Sequence, residues 1–148
     1  MEWVYEGLLA RSSRPGYPAT EVSLRDVEKW LQQIQQQGIQ AIICLLSQNE
    51  LDEYYRGLPA GLLAFYEERG LAVDRIYVKD YQSPAVDAGQ LTAVHAAFQQ
   101  LPRPVLIHCS AGMVRTGRAV EYLRKILKEV NSPIWQNGAG DLGHEEGE

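Results

Sequence analysis

Short apolar runs alternate with amphipathic helical stripes through most of this chain, and this alternation restricts the possible folds more than any other sequence feature. The runs IQAIICLL (39–46) and PVLIH (104–108) are mainly apolar and β-branched, which is typical of strands buried on both faces of a sheet. Strands separated by helices form open, largely parallel sheets with helices on both faces. We therefore predict an α/β fold around a central, mostly parallel, twisted sheet of about five strands.

Local signals place the other elements along the chain. Two short strands are predicted at 2–6 and 8–12. A first helix is predicted to begin with an S-x-x-D capping box, Ser23 and Asp26, and to end at Gly38, where a left-handed residue is favoured. The remaining predictions are a helix at about 60–69, a strand at 72–78, a helix with the apolar residues Leu91, Val94, Phe98 and Leu101, and a helix with the apolar residues Ala119, Leu123, Ile126, Leu127 and Val130.

Length and charge exclude several classes of function. The chain has 148 residues, of which 45% are hydrophobic, and this indicates one globular domain, predicted over residues 1–132. The net charge is −5, but four of the 19 acidic residues lie in the last eight positions. Residues 1–140 hold 15 acidic and 14 basic residues, a balance that excludes general binding to nucleic acids or membrane surfaces. Residues 133–148 are predicted to form an acidic, disordered tail.

The sequence carries no targeting or metal-binding signal. The N-terminal residues lack a basic start followed by a long apolar run, and no stretch approaches the length that crosses a bilayer. The two cysteines, Cys44 and Cys109, are too few for a disulfide framework and belong to no zinc-type cluster. We expect a cytoplasmic, monomeric protein that needs no cofactor or metal.

The segment HCSAGMVRTGR, residues 108–118, joins the last predicted strand to the final helix. Parallel sheets place functional sites at the carboxyl ends of strands, which is where Cys109 lies. Unpaired N–H groups and the dipole at a helix start form a positive cradle for an anion. Gly112 permits close backbone approach there, and the planar guanidinium of Arg115 can bind two oxygens of a tetrahedral dianion. The same positive field favours the thiolate of Cys109, a nucleophile for phosphoryl transfer.

The residues C-S-A-G-M-V-R match the C-x5-R signature of the protein tyrosine phosphatase superfamily, and His108 before them and Thr116 and Gly117 after them match as well. Over about residues 3–130 the chain resembles small dual-specificity phosphatases of the atypical and prokaryotic types. The resemblance implies a cysteine phosphatase-like sheet. Tyrosine-specific members are much longer, so a shallower cleft is implied, which admits phosphoserine and phosphothreonine as well as phosphotyrosine.

The resemblance also implies a role for each residue of the loop. Cys109 is the expected nucleophile, which forms a cysteinyl-phosphate intermediate, and Arg115 is expected to stabilise the oxyanion without a metal. His108 is expected to orient the loop, and the Thr116 hydroxyl to donate to the Cys109 sulfur. The expected substrate-binding residues are Ser110, Ala111, Gly112, Met113, Val114 and Arg115.

The leaving alcohol needs a proton, and family members carry the acid as an Asp about thirty residues before the cysteine, usually with a Pro shortly after it. Asp80 lies 29 positions before Cys109 and is followed by Pro84, so Asp80 is the predicted general acid. Asp87 is the alternative, although an Asp at the start of a helix is commonly a cap. Asp74 is a weaker candidate because it lies within a predicted strand.

The predicted activity is removal of phosphate from phosphotyrosine, phosphoserine and phosphothreonine, with a phosphorylated protein as the partner. The first alternative is a phosphatase for a phosphoinositide, a nucleotide or an RNA 5′-phosphate. Relatives that act on inositol lipids tend to carry lysines within the C-x5-R loop, whereas this loop has no added charge. A lesser alternative is a pseudophosphatase that binds phosphoproteins without turnover, although no catalytic Cys, Arg or Asp is missing.

Three further residues have two interpretations each. Cys44 is expected to be an inert buried residue, and the alternative is a disulfide with the oxidised nucleophile. Arg11 and Arg14 are expected to be solvated at the surface, and the alternative is that they add positive charge near the cleft.

Overall fold

The structure, a computed structural model, describes residues 1–130, and the predicted acidic tail at 133–148 lies outside the described residues. The strands are β1 (Glu2–Tyr5), β2 (Leu9–Ser12), β3 (Ala41–Cys44), β4 (Ala72–Arg75) and β5 (Val105–His108). The helices are α1 (Leu24–Gln36), α2 (Gln48–Tyr54), α3 (Leu62–Glu68), α4 (Ala88–Gln100) and α5 (Val114–Val130).

The five strands form one sheet with the order β1-β2-β5-β3-β4, which confirms the predicted α/β class. β1 and β2 pair antiparallel, and the other neighbours pair parallel. β5 lies between β2 and β3, with His108 opposite Ser12 on one side and Cys44 on the other. These three strands therefore end at the same edge of the sheet, where the segments that follow them meet.

Both faces of the sheet are covered, as the apolar strands predicted. Along β5, Val105 and Ile107 pack against α4 and α5 on one face, and Leu106 packs in a second core with α1, α2 and α3 on the other. Every residue of β3 and β5 is buried. Among residues 1–130, no helix is both long enough and apolar enough to cross a membrane.

The predicted start and stop signals act at both ends of α1. The Ser23 side chain accepts a hydrogen bond from the N–H of Asp26, which is one of the two bonds of a capping box. Gly38 follows the helix with a φ of +94°, the left-handed conformation expected there. The boundaries of this helix are therefore set by its own sequence.

The sequence analysis did not predict α2. Its seven residues bury one apolar side chain, Leu51, so the segment lacks the apolar periodicity that marks longer helices. The helix begins with a capping box, in which the Ser47 side chain accepts from the N–H of Glu50 and the Glu50 carboxylate accepts from the N–H of Ser47. The S-x-x-E pattern directly after a strand is the signal that identifies this helix.

Candidate active site

Residues 109–113 connect β5 directly to α5 and form a tight loop. Cys109, at its start, is 2% exposed. Gly112 has a φ of +77°, and a Cβ atom there would lie 2.6 Å from the carbonyl oxygen of Ser12, so a larger residue would strain the loop. The loop precedes a helix of 17 residues, whose N-terminus adds partial positive charge. This geometry fits the anion cradle predicted from the sequence, and the binding of an anion there stays a prediction.

Arg115 lies in the first turn of α5 and forms a buried ion pair with Glu50 of α2. Its Nη1 and Nη2 donate to the two carboxylate oxygens at 2.8 and 2.9 Å, and Nη1 also donates to the carbonyl oxygen of Val78 at 2.8 Å. A guanidinium has five N–H donors, and Nε–H and one N–H of Nη2 form no hydrogen bond within residues 1–130, although an Asp80 carboxylate oxygen lies 3.5 Å from Nη2. These two donors share one edge of the guanidinium, the geometry that binds two oxygens of an oxyanion.

Glu50 is the site residue that the sequence analysis missed. Burial would raise the pKa of its carboxyl, but hydrogen bonds from Arg115 and from the Ser47 backbone outweigh burial and lower the pKa. Burial would likewise lower the pKa of Arg115, but the hydrogen bond with Glu50 raises it. Glu50 therefore keeps the guanidinium charged and in one orientation. The capping box marks the place of Glu50, but no local pattern indicates a partner 65 positions away.

The structure places Asp80 beside the same guanidinium. One Asp80 carboxylate oxygen lies 3.5 Å from Arg115 Nη2, and the Asp80 side chain is 49% exposed, so it can meet an incoming substrate. Asp87, the sequence alternative, is the N-cap of α4 and accepts a hydrogen bond from the N–H of Gln90 at 2.8 Å. Asp74 lies within β4. Of the three, Asp80 is the one with an ion-pair contact to Arg115, and its role as the general acid stays a prediction.

His108 is fully buried and links the loop to α3. Its Nδ1 lies 3.0 Å from the carbonyl oxygen of Cys109, and its Nε2 lies 2.9 Å from the hydroxyl of Tyr66. A carbonyl oxygen only accepts hydrogen bonds, so Nδ1 carries the proton and Tyr66 donates to Nε2. Burial lowers the pKa of His108 to about 4, so the ring is neutral at pH 7. These contacts fit the predicted role of orienting the loop.

The Thr116 hydroxyl is buried and has no hydrogen-bond partner among residues 1–130. The predicted hydrogen bond to the Cys109 sulfur is therefore not formed in this structure. An unsatisfied buried hydroxyl costs about 1–3 kcal/mol. A negatively charged sulfur is a better acceptor than a thiol, so a bond from Thr116 to the Cys109 thiolate stays a prediction.

The expectation of surface solvation is wrong for Arg14, which is buried, whereas Arg11 is half-buried and bound to the loop. Arg14 is 2% exposed, and its Nε donates to Ser110 Oγ at 3.0 Å. Arg11 donates from Nη2 to the carbonyl oxygen of Gly112 at 2.9 Å. The pairing of β2 beside β5 brings both arginines against the loop, and no local pattern in the sequence encodes this pairing.

Cys44 and Cys109 pack on opposite faces of the sheet. Cys44 belongs to the core that contains α1, α2 and α3, whereas Cys109 belongs to the core that contains α4 and α5. Burial raises the pKa of Cys44 to about 12, so its thiol stays protonated at neutral pH. The structure therefore favours the inert buried cysteine over a disulfide between Cys44 and Cys109.

We expect the free energy of unfolding to fall as the pH is lowered from 6.5 to 4, because His108 takes up a proton in the unfolded chain before it does so in the native state. A group whose pKa is lower in the native state than in the unfolded chain makes its full contribution to stability at pH values above the unfolded pKa. This contribution is lost as the pH falls through the native pKa. With a native pKa of about 4 against 6.5, the contribution is on the order of 3 kcal/mol.

Urea unfolding between pH 4 and pH 7.5 measures how the free energy of unfolding changes with pH in the wild type and in His108→Gln. The variant should show a flatter dependence on pH over the same range. Glu50, whose pKa is also lowered, acts in the same direction, but only below its unfolded value of 4.5. Equal slopes in the two proteins would contradict the assignment to His108.

Comparison with known proteins identifies both a family and a fold. A family model described as "Polymorphic toxin system, DSP-PTPase phosphatase" matches residues 20–125. No curated protein sequence matches the chain. The core catalytic domain of the PP-IP phosphatase SIW14 from S. cerevisiae, solved with citrate, is similar with a TM-score of 0.55 and 20% identity, over 90% of this chain and 72% of that chain. Tk-PTP in its active form is similar with a TM-score of 0.50 and 19% identity, over 80% of this chain and 79% of that chain.

Proposed function

Because this chain belongs to the DSP-PTPase phosphatase family of polymorphic toxin systems, we propose that it removes phosphate from phosphotyrosine, phosphoserine and phosphothreonine in proteins. Membership of the family makes the chain a cysteine-dependent phosphatase of the protein tyrosine phosphatase type. The substrate class and the role of each residue are the parts that we propose.

The apolar rim of the site is the observation that carries the proposal. Met113 and Val114, at the start of α5, are 67% and 70% exposed, and Tyr81, next to Asp80, is 96% exposed. Exposed apolar side chains next to site residues are typical of a surface that contacts a partner. They can pack against the side chain and backbone around a phosphorylated residue, but they offer no charge to additional phosphates.

In the first step, the Cys109 thiolate attacks the phosphorus atom in line with the leaving oxygen. The S–P bond forms while the P–O bond breaks, and Asp80 gives its proton to the leaving oxygen. The Nε–H and Nη2–H of Arg115 and the N–H groups of the loop bind the non-bridging oxygens, where charge develops. The products of this step are the free alcohol and a cysteinyl-phosphate.

In the second step, a water molecule attacks the phosphorus atom of the cysteinyl-phosphate. The Asp80 carboxylate, now ionised, takes a proton from this water, the new P–O bond forms, and the S–P bond breaks. The electron pair of that bond returns to the Cys109 sulfur, where the Thr116 hydroxyl can donate to the thiolate. The cycle ends with inorganic phosphate, a protonated Asp80 and a thiolate.

A groove of about 690 Å³ gives the rest of the substrate a path away from the phosphate. It runs between α2 and the segment after β4, and Asp80 lies in its wall with Tyr54 and Tyr77. Two tyrosines beside polar side chains can contact both the backbone and the side chains of a peptide. The groove therefore suits the residues that flank a phosphorylated side chain.

Replacement of Asp80 tests the proposed acid. General acid catalysis contributes about 10²–10⁴-fold, so Asp80→Ala should slow hydrolysis of phosphoserine peptides by that order. The p-nitrophenolate group of p-nitrophenyl phosphate leaves without a proton. The substitution should therefore slow hydrolysis of this aryl phosphate much less. Asp87→Ala is the matched control, because its loss removes only the cap of α4, at a cost of about 1 kcal/mol in stability. If Asp87→Ala shows the leaving-group dependence and Asp80→Ala does not, the acid is misassigned.

A non-protein phosphomonoester is the second candidate substrate, and Lys79 is the observation that favours it. Lys79 is exposed in the groove beside Asp80, where an ammonium group can bind a second phosphate. SIW14, which shares the fold, is a PP-IP phosphatase. Values of kcat/KM on phosphotyrosine and phosphoserine peptides, inositol phosphates and nucleotides separate the two candidates. A higher value on a non-protein substrate than on every peptide would contradict the proposed function.

A further inference from the structure

Two arginines from β2 and the segment after it hold the backbone of the loop between β5 and α5. Arg11 donates from Nη2 to the carbonyl oxygen of Gly112 at 2.9 Å. The backbone N–H of Arg14 donates to the carbonyl oxygen of Ser110 at 2.9 Å. Two carbonyl groups of the loop are therefore bound on the side of β2.

These hydrogen bonds also set the direction of two N–H groups. The C=O and N–H of a trans peptide point in opposite directions, and both peptide units are trans, since the cis bonds within residues 1–130 all precede prolines. Because Arg14 holds the Ser110 carbonyl on the side of β2, the N–H of Ala111 points away from β2. Because Arg11 holds the Gly112 carbonyl on the same side, the N–H of Met113 also points away from β2. Neither N–H donates to a backbone carbonyl within the described part of the chain. Both are therefore free to bind an anion.

The side chain of Arg14 strengthens this arrangement. It is buried, and it donates from Nε to Ser110 Oγ at 3.0 Å and from Nη2 to the carbonyl oxygen of Ala19 at 2.8 Å. Its guanidinium carbon lies 4.0 Å from the centre of the Tyr54 ring. No carboxylate pairs with Arg14 in residues 1–130. A buried cation without a carboxylate partner is uncommon, and an anion in the adjacent loop would supply the negative charge.

We propose that Arg11 and Arg14 are positioning residues, which hold two loop carbonyls so that the N–H groups of Met113 and Ala111 bind phosphate oxygens. This inference rests on the proposed function, because a phosphoryl-transfer site is what brings an oxyanion into the loop. Neither arginine touches the reacting atoms, and each acts through one peptide unit. Fixed N–H donors bind developing charge most strongly, so their loss should weaken binding of vanadate, which resembles the transition state, more than binding of phosphate.

The test compares Arg11→Met, Arg14→Lys and Ser110→Ala with the wild type, and Arg118→Met is the matched control. Arg118 is exposed in α5, and its side chain has no hydrogen bond or ion pair among the described residues. Its loss removes the same charge near the loop without removing a loop contact. We expect Arg11→Met to lower kcat/KM for p-nitrophenyl phosphate roughly 10- to 100-fold and to weaken vanadate inhibition similarly. Arg118→Met should leave both within about twofold.

A merely structural role for the arginines gives a different result. It would lower Tm but leave kcat/KM and vanadate inhibition of the folded protein unchanged. We expect Arg11→Lys, which keeps one donor on a shorter side chain, to recover part of the vanadate affinity. Arg14 is buried, so Arg14→Lys can fail to fold. Ser110→Ala removes only the contact with Arg14 Nε and leaves the bond from the Arg14 backbone N–H to the Ser110 carbonyl, so it tests the contribution of the Arg14 side chain.

If folded Arg11→Met and Ser110→Ala both keep the kcat/KM and the vanadate inhibition of the wild type, the positioning role of the two arginine side chains is overturned. Failure of the proposed function is distinct, because the wild type itself would then show no turnover on phosphopeptides. Binding of inorganic phosphate to Cys109→Ser, measured by calorimetry, reports on the loop without turnover. Unchanged phosphate affinity on adding Arg11→Met to that variant would overturn the positioning role, whatever the substrate of the enzyme.

Discussion

Replacement of Cys109 by serine should abolish hydrolysis of p-nitrophenyl phosphate while the fold survives. The serine hydroxyl has a far higher pKa than a thiol, so it is a poor nucleophile at neutral pH. The substitution changes one atom of a side chain that is 2% exposed, and the oxyanion contacts of the loop stay in place. Steady-state turnover, measured beside circular dichroism and thermal unfolding of the same samples, separates loss of chemistry from loss of structure.

The control for this experiment is the wild type in the presence of a strong chelator. The proposed mechanism draws its positive charge from Arg115 and from the N–H groups of the loop, so the chelator should leave turnover unchanged. Full activity in Cys109→Ser, or complete loss of wild-type activity in the chelator, would contradict cysteine-based catalysis. Vanadate should inhibit the wild type competitively, since it binds the same loop.

Replacement of Arg115 by lysine should lower kcat/KM by at least about 10²–10³-fold, the usual effect of removing one oxyanion donor. Lysine keeps the charge, but a single ammonium cannot bind both oxygens of Glu50 and also present two parallel N–H groups to a phosphate. Nη1 and Nη2 bind Glu50 at 2.8 and 2.9 Å. The contact with Glu50 and the expected contact with phosphate therefore both depend on the planar shape of the guanidinium. An unchanged rate in Arg115→Lys would show that Arg115 does not bind the oxyanion.

Glu50→Gln is the companion variant, because it keeps the shape of the side chain and removes its charge. We expect a smaller loss, about tenfold, since a charged hydrogen bond that becomes neutral weakens by roughly that amount. The double variant should lose less than the sum of the single losses, because both substitutions disturb one ion pair. Fully additive losses would show that Glu50 does not act through Arg115.

The sequence alone could identify the loop and predict its chemistry, because the signals are local. The buried strand, Cys109, Gly112 and Arg115 follow one another within a short segment, and each depends on its neighbours in the chain. The helix signals at Ser23 and Gly38 are local in the same way, and the structure confirms them. Alternation of apolar strands and helices predicted the parallel sheet, because it depends only on periodicity along the chain.

The residues that hold the loop were decided only by the tertiary structure. Glu50 reaches Arg115 across 65 positions, Arg14 reaches Ser110 across 96, and Arg11 reaches Gly112 across 101. A single polar side chain carries no periodic signal, so its partner depends on which segments the strand order brings together. β5 lies between β2 and β3, and this order places the arginines on one side of the loop and the α2 carboxylate on the other. Cys109, the proposed nucleophile, and the loop that follows it are therefore encoded locally, whereas the contacts that hold this loop exist only once the sheet has assembled.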